Sequence, residues 1–189
     1  MNKIVLNKEI NELVINEDSI CDIDSEIKLL NIKILDDVKF IINHYVEIKE
    51  NNMNINIEQN NNSDFIYNHS FKNSSNYNIE INISMNGNNS KNLINIRGLS
   101  DAGITNIKVD GSVKENTKDN ILDEKIKMLN INNGKSNVLP NMFINTKNVI
   151  ANHSVSITDI DEDYLFYLNS KGIDNNKAKE LIINGFLNK

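Results

Sequence analysis

The segment Tyr77–Gly98, YNIEINISMNGNNSKNLINIRG, contains two short stretches in which apolar and polar residues alternate. In the first stretch, Ile79, Ile81 and Ile83 recur at every second position. A period of two places these side chains on one face of a β-strand. The intervening NGNNSKN is rich in Asn and Gly, which tolerate the positive φ angles of tight turns. The segment therefore predicts two half-buried strands joined by a turn.

The same alternation continues over most of the chain, from Val38 to about Ile157. Further examples are MNINIEQ and ITNIKVDGSV, whereas NNNSD, VDGS and NNGKSN are predicted to be turns. Residues 1–37 mix both periodicities, in EINELVI and EIKLLNIKIL, and we predict short strands that join the main body. Residues 38–157 are therefore predicted to form a β core.

Many short strands without helical crossovers can form a sandwich, a barrel or a β-solenoid. Asn recurs at outward or turn positions of successive strands, and stacked Asn side chains can hydrogen-bond from one solenoid coil to the next. This pattern favours a solenoid. No strict sequence repeat accompanies it, so composition alone leaves solenoid and sandwich equally open.

The periodicity changes after Ile157, where residues 158–189 are predicted to form a pair of helices. Asp159 or Asp161 can cap the first helix, and Gly172 suits the left-handed position after its end. Asp174 is the predicted cap of the second helix. This helix has an apolar stripe at helical spacing, which consists of Ala178, Leu181, Ile182, Gly185 and Phe186. The chain is thus predicted to be a β body with a helical tail, in which one face of the helix pair packs on the last coil and another is available to a partner.

Composition argues against several classes of protein. The net charge of −6 and the single arginine, Arg97, argue against a surface that binds nucleic acid. No apolar run approaches the roughly 18 residues that span a bilayer, and acidic residues near the N-terminus argue against a signal peptide. We therefore expect a cytoplasmic protein without a membrane partner. One cysteine, Cys21, rules out an internal disulfide framework and an all-cysteine metal site within one chain.

The C-terminal stretch PNMFINTKNVIANHSVSITDIDEDYLFYLNSKGIDNNKAKELIINGF resembles the C-terminal signature of the SufB/SufD family of iron–sulfur cluster assembly scaffolds. In that family a proline-led strand precedes a histidine segment, an acidic helix start, an "lFYL.sRGI" motif and an "A..ll..gF" helix. The positions that match are Pro140, His153, Asp161, Leu165, Phe166, Tyr167, Leu168, Gly172, Ile173, Ala178, Leu181, Ile182, Gly185 and Phe186. The stretch Gly111–Pro140 resembles the family's preceding coils more loosely.

The resemblance implies a right-handed parallel β-helix with C-terminal helices. It also implies a non-catalytic scaffold subunit in a complex with an ABC-type ATPase, SufC, in which two scaffold chains pair and each binds one ATPase. No GxxxxGK[ST] phosphate loop occurs here, so ATP hydrolysis would belong to the partner. We expect the second scaffold chain to be another copy, giving a homodimer. We expect no cofactor bound stably by the isolated chain, and a transient iron–sulfur cluster only in the complex.

The resemblance also implies which residues form the functional sites. His153 is the candidate for cluster assembly at the scaffold interface and the candidate metal ligand. The candidates for docking the ATPase lie in the tail and are Tyr164, Leu165, Phe166, Leu168, Gly172, Ile173, Ala178, Leu181, Ile182 and Phe186. The chain departs from the family at three positions: Ala151 replaces a cysteine found in SufD-like members, Ser154 replaces Gly or Glu, and Lys171 replaces Arg. A thiolate is therefore missing near His153.

Other interpretations remain open on the sequence. His153 can be a structural histidine at a strand end, and the two helices can serve only to cap the solenoid. A structural β-solenoid interaction module without cluster chemistry is the alternative function. A carbohydrate-active β-helix enzyme would need clustered acids and usually exposed aromatics, and aromatic residues make up only 6% of the chain.

Overall fold

The computed structural model describes residues 1–6, 11–49 and 52–187, so residues 7–10 of the predicted N-terminal strand segment lie outside it. The described part contains thirteen strands and two helices. Their bounds are β1 Asn2–Ile4, β2 Glu12–Ile15, β3 Ser19–Ile23, β4 Leu29–Ile34, β5 Lys39–Ile48, β6 Met53–Gln59, β7 Asp64–Asn73, β8 Asn76–Met85, β9 Lys91–Asp101, β10 Ile104–Val113, β11 Asn120–Ile131, β12 Lys135–Ile144, β13 Val149–Asp159, α1 Glu162–Ser170 and α2 Asn175–Phe186.

The strands form two parallel sheets. The odd sheet has the order β1-β3-β5-β7-β9-β11-β13, and the even sheet has the order β12-β10-β8-β6-β4-β2. Consecutive strands therefore lie in different sheets, and each strand pairs in parallel with the strand two further along the chain. This is a β-solenoid in which each coil contributes one strand to each sheet. The predicted fold class, mainly β with a solenoid body and a C-terminal helix pair, is confirmed, and the sandwich alternative is wrong.

Alternating side chains point between the two sheets and form the core. Ile79, Ile81 and Ile83 are each at most 2% exposed, as the alternation predicts. Because the strands pair in register, residues stack in columns that run from coil to coil. Phe40 stacks on Phe65 in this way, with ring centroids 5.8 Å apart.

Asparagine ladders line the outer faces of both sheets. On the even sheet, Asn56 Nδ2 donates to Asn31 Oδ1 at 2.8 Å and Asn82 Nδ2 donates to Asn56 Oδ1 at 3.0 Å. On the odd sheet, a ladder of the same kind joins Asn43, Asn68 and Asn95. The side-chain hydrogen bonds expected between successive coils are therefore present.

The turns between strands use the predicted residues with one exception. Asn62, Asn89 and Asn132 have φ of 52°, 54° and 51° in the NNNSD, NGNNSKN and NNGKSN turns. The prediction of a turn at VDGS is wrong, because this segment lies inside β10. Gly111 is there for a packing reason, since a Cβ at this position would lie 2.6 Å from Leu122 Cδ2 on the facing sheet.

The helices begin and end at predicted signals. Asp161 Oδ1 accepts a hydrogen bond from the Asp163 amide at 2.9 Å, Gly172 follows α1 with φ of 82°, and Asp174 caps α2. The end of α2 reaches back over the odd sheet, where Arg97 Nη1 on β9 donates to the Phe186 carbonyl at 2.9 Å. We expected the helices to pack on the last coil, whereas this contact lies two strands further into the sheet.

Candidate site at the open end of the solenoid

Among the described residues, the last coil has a neighbouring coil on one side only. β12 ends the even sheet and β13 ends the odd sheet, so the far edge of each is not paired within the described residues. Edge strands present unpaired N–H and C=O groups that can pair with another chain. Pro140 lies in β12, and an edge strand is where a proline without an N–H is tolerated. The end of the solenoid is therefore open.

Apolar side chains of this coil are partly exposed. Val155 and Ile157, which point inward on β13, are 40% and 43% exposed, because no further coil covers them. Val138, Met142 and Ile144 on β12 pack against the core and are only half-buried. Equivalent positions in earlier coils are closed to solvent. The open end thus presents an apolar surface framed by two strand edges.

His153 lies in the middle of this surface. Its Cα is in register with that of Glu124 on β11, the neighbouring strand. Partners in a parallel in-register pair point to the same side of the sheet, and Glu124 points into the core. His153 therefore projects at the inward position of the last coil, where it is exposed.

Glu124 is an acidic residue in a column of inward-facing side chains that stack from coil to coil. The column runs through Cys21, Ile42, Tyr67, Ile94, Glu124 and His153. Glu124 is 0% exposed, and neither carboxyl oxygen has a hydrogen-bond partner within the described residues. Burial raises the pKa of Glu124 to about 8, and the charges of Asp110 and Asp123 add to the effect. The carboxyl group is thus held largely neutral at pH 7.

Gly111 on the facing sheet provides the room for this carboxyl group. A Cβ at Gly111 would lie 2.8 Å from Glu124 Oε1, so any larger residue there would collide with it. The same glycine is in register with Met142 of the last coil. Gly111 and Glu124 therefore face each other across the core, one coil before the end of the solenoid.

Thiolate ligands are absent from this arrangement. Cys21 is the only cysteine of the chain, and it is buried on β3. Four strands of the odd sheet separate β3 from β13, a distance of about 24 Å at ordinary strand spacing. Burial also raises the pKa of the Cys21 thiol. Within the described residues, no group of three His, Cys, Asp or Glu side chains could hold a metal ion. A cluster that needs several thiolates from one chain does not fit.

The predicted docking residues of the tail differ in accessibility. Tyr164, Phe166 and Leu181 are 64%, 76% and 44% exposed. Half-buried positions are Leu165, Leu168, Ile173, Ile182 and Phe186, and Gly172 is exposed at the turn. Ala178 is fully buried, so it supports the packing of α2 and offers no surface to a partner. The exposed aromatic side chains lie on α1, and the described residues leave them uncovered.

Sequence reasoning found His153 but missed Glu124 and Gly111. The signal for Glu124 is present in the sequence, because the alternation in NILDEKIKM places it on the same face as Leu122, Ile126 and Met128. An acidic residue at an inward strand position is unusual. Gly111 was assigned to a turn, so its packing role could not be recognised without the facing sheet.

Comparison with known proteins gives two matches. The family model described as the SufBD core domain of the SUF system for FeS cluster assembly matches residues 37–186, well over half of the chain. A stretch of 50 residues is 38% identical to "Protein ABCI7, chloroplastic" of Arabidopsis thaliana, and it covers 26% of this chain and 10% of that protein. Separately, none of the described helices is long and apolar enough to cross a membrane.

Proposed function

This chain belongs to the SufBD core family of the SUF system for iron–sulfur cluster assembly, and on that premise we propose that it is a non-catalytic scaffold subunit. It pairs with a second scaffold chain and binds a SufC-like ABC-type ATPase, which hydrolyses the ATP. The observation that carries this proposal is the family match, which spans the solenoid from β5 onward and both helices. The proposed site of action is the cytoplasm, and cell fractionation tests it.

The open end of the solenoid supports pairing with a second chain. Its two unpaired strand edges and its partly exposed Val155 and Ile157 would be covered by another copy. Two-fold symmetric pairing uses the same surface on both partners, so one gene product suffices. His153 would then lie within the interface.

The tail supports docking of the ATPase. Tyr164 and Phe166 on α1 are aromatic and more than half exposed, and aromatic side chains are enriched where proteins bind one another. The Arg97 contact to the Phe186 carbonyl ties α2 to the odd sheet. A movement imposed on the helices by the ATPase would therefore reach the solenoid through β9.

Iron–sulfur cargo would be held only transiently. His153 is the proposed ligand of this chain, because imidazole nitrogen binds iron and the side chain is accessible. The missing thiolates support a short-lived association in the complex, with further ligands supplied by other molecules. His153→Ala should reduce iron–sulfur reconstitution while dimerisation and thermal stability stay nearly unchanged.

A second candidate function is a structural β-solenoid module that mediates protein interactions without cluster chemistry. The observation that favours it is the distance between Cys21 and His153, since cluster scaffolds commonly use thiolates. The two candidates differ in one result: a structural module would bind partners equally well with and without His153 and would not support reconstitution.

Co-expression with the SufC-like ATPase tests the scaffold proposal. The two proteins should purify together, and deletion of residues 161–189 should abolish the association. Circular dichroism must show that the truncated β body still folds. Tyr164→Ala combined with Phe166→Ala is a milder variant that leaves the solenoid intact. A folded truncated chain that bound the ATPase at wild-type affinity would refute the docking assignment.

Homodimer pairing is tested separately by light scattering. A molar mass equal to that of the monomer at micromolar concentration would contradict it.

A further inference from the structure

We propose that the turn between β8 and β9 is a site of spontaneous covalent modification, at which Asn86 loses its side-chain amide and becomes a mixture of aspartate and isoaspartate. The site lies in the middle of the solenoid and does not depend on the proposed scaffold function. Its co-reactant is water, and no enzyme is needed. The inference comes from comparing the three Asn–Gly pairs of the chain, Asn86–Gly87, Asn133–Gly134 and Asn184–Gly185.

The chemistry begins with the backbone nitrogen of the residue that follows the asparagine. This nitrogen gives up its proton and attacks the side-chain carbonyl carbon, Cγ. A new bond forms between the nitrogen and Cγ, the bond between Cγ and Nδ2 breaks, and Nδ2 leaves as ammonia after taking up a proton. Water then opens the resulting succinimide ring at either carbonyl, which gives aspartate or isoaspartate. A following glycine favours the step because it has no Cβ to obstruct the ring.

The hydrogen bond of the glycine N–H determines which pair can react. In the succinimide, Cγ takes the position that the N–H hydrogen occupies before the reaction, so an acceptor at that position must first be displaced. The Gly134 N–H donates to the Ile131 carbonyl at 2.8 Å. Gly185 lies inside α2, where each N–H donates to the carbonyl four residues earlier. The structure gives the Gly87 N–H no acceptor among the described residues, so the required position is open in this pair.

The Asn86 side chain is also available to react. Asn86 is exposed. Within the part of the chain that the structure describes, no residue hydrogen-bonds to its side-chain amide, whereas Asn61, Asn89 and Asn120 in the surrounding turns all bond to a neighbouring coil. The amide of Asn86 can therefore rotate toward the Gly87 nitrogen without breaking a hydrogen bond.

Neighbouring coils hold the backbone around the reacting atoms. The Gly87 carbonyl accepts a hydrogen bond from Asn120 Nδ2 at 2.9 Å, and the Asn88 amide donates to Asn61 Oδ1 at 2.9 Å. Gly87 itself is buried, and a Cβ there would lie 2.3 Å from the Asn61 nitrogen. The packing of the turn therefore requires the same glycine that makes Asn86 reactive.

The products change the turn in two ways. Aspartate adds one negative charge, which takes the formal net charge from −6 to −7. Isoaspartate also routes the main chain through the former Cβ, so the turn gains one carbon atom. The bonds of Gly87 to Asn120 and of Asn88 to Asn61 join this turn to the turns of both neighbouring coils, and the longer backbone displaces them. Modification at Asn86 therefore weakens the contacts among three successive coils.

The experiment measures the three Asn–Gly pairs side by side in one sample. The purified wild-type chain is incubated at neutral pH and physiological temperature, and aliquots are digested with trypsin and analysed by mass spectrometry. Lysines stand between the three pairs in the sequence, so each pair falls in its own peptide. Electron-transfer fragmentation distinguishes isoaspartate from aspartate. The same incubation in concentrated urea is the matched control, because all three asparagines precede glycine and should react alike once the fold is lost.

We expect Asn86 to react about fivefold faster than Asn133 and Asn184 in the folded chain, since the other two pairs must first break a hydrogen bond. In urea the three rates should become similar. Incubated wild type should have a lower Tm than fresh wild type, whereas Asn86→Gln, which closes the ring far more slowly, should keep its Tm through the same incubation. Asn86→Gln is preferred to Gly87→Ala because a Cβ at Gly87 would collide with the Asn61 backbone.

Equal rates at the three sites in the folded chain, or a faster reaction at Asn133 or Asn184, would overturn the inference. A preference for Asn86 that persisted unchanged in urea would also overturn it, because the preference would then come from the sequence and not from the fold. An Asn86 that stayed intact in the folded chain while the urea sample reacted would show that the turn protects this pair, with the same result. These outcomes leave the scaffold proposal untouched, since copurification with the ATPase tests that separately.

Discussion

Two regions of the solenoid can be compared: the closed coils between β5 and β10, and the open coil formed by β12 and β13. Their strands have the same geometry, but the buried polar groups in and beside them differ in how many hydrogen bonds they make. In the closed coils, His44 Nδ1 lies 2.9 Å from Tyr67 Oη and its Nε2 lies 2.9 Å from the Ser25 carbonyl oxygen. His69 stacks on His44 with ring centroids 4.4 Å apart, and only its Nε2 lacks a partner. Beside the open coil, both oxygens of Glu124 lack one.

This difference concerns the cost of burying a polar group in each region. A neutral imidazole with at least one hydrogen bond can be buried at modest cost, whereas an unpaired carboxyl group cannot. The closed coils therefore satisfy most of their polar groups internally. The strand next to the open coil keeps a buried carboxyl group without a hydrogen-bond partner, in register with the exposed His153.

The largest expected effect comes from truncating an aromatic side chain in a closed coil. Phe65→Ala should lower the free energy of unfolding by about 3–5 kcal/mol, because Phe65 is fully buried and stacks on Phe40. In the open coil, Val155→Ala should cost less than about 1 kcal/mol, since Val155 is 40% exposed and a smaller group is removed. Urea unfolding measures both. Equal losses would mean that the open coil is as tightly packed as the closed ones.

A substitution at Glu124 is expected to raise the free energy of unfolding. Glu124→Leu should raise the free energy of unfolding by about 1–3 kcal/mol at pH 7, because an apolar side chain of similar size replaces an unpartnered acid in an apolar column. Thermal and urea unfolding of the purified chain provide the measurement. A destabilised Glu124→Leu would show that the carboxyl group has a structural partner and would remove the contrast between the two regions.

Acid should destabilise the closed coils. Burial lowers the pKa of His44 to about 4, and burial together with the charge of His44 lowers that of His69. Since the unfolded chain takes up these protons first, the stabilisation is complete above pH 6.5 and is lost as the pH falls toward 4. We expect a loss of about 2–3 kcal/mol from His44 across this window. His44→Gln, which does not titrate, should have a flatter profile than the wild type between pH 6.5 and 4, and identical slopes would contradict the assignment.

The smallest effects concern the asparagine ladders. Asn56 bonds to Asn31 on one side and Asn82 on the other, so Asn56→Ala should cost about 1 kcal/mol. Asn137, in the open coil, ends its ladder with a bond to Asn106, and Asn137→Ala should cost about half as much. Chemical denaturation of the two variants side by side measures the difference, and a larger loss at Asn137 would mean that the ladder continues into another molecule.

Sequence reasoning recovered what is local and periodic. The alternation of Ile79, Ile81 and Ile83 predicts strands, and the capping residues Asp161 and Asp174 predict where each helix begins. Alternation alone did not separate a solenoid from a sandwich, because both have the same period along a strand. That choice depends on which strands pair, and pairing joins residues 17 to 31 positions apart, as Asn2 with Ser19 and Ile104 with Lys135.

The rest of the candidate site depends on contacts between the two sheets. Gly111 was predicted to lie in a turn because Asp-Gly is a common turn pair, yet it faces Leu122 and Glu124 across the core. The tail was expected on the last coil, but the contact between Arg97 and Phe186 joins residues 89 positions apart and carries no periodic signal. His153 was found because it belongs to a local motif, whereas Glu124 is in register with it on the neighbouring strand, 29 positions earlier in the sequence.

The contact between Arg97 and Phe186 also affects the order in which the molecule is completed during synthesis. Each strand pairs with residues 17 to 31 positions earlier, so each coil can join the solenoid soon after it leaves the ribosome. The tail differs, because its anchor on β9 is used only after Phe186 has been made. We expect the docked helix pair to appear last, so a partner that recognises it would select chains whose coils have already been assembled.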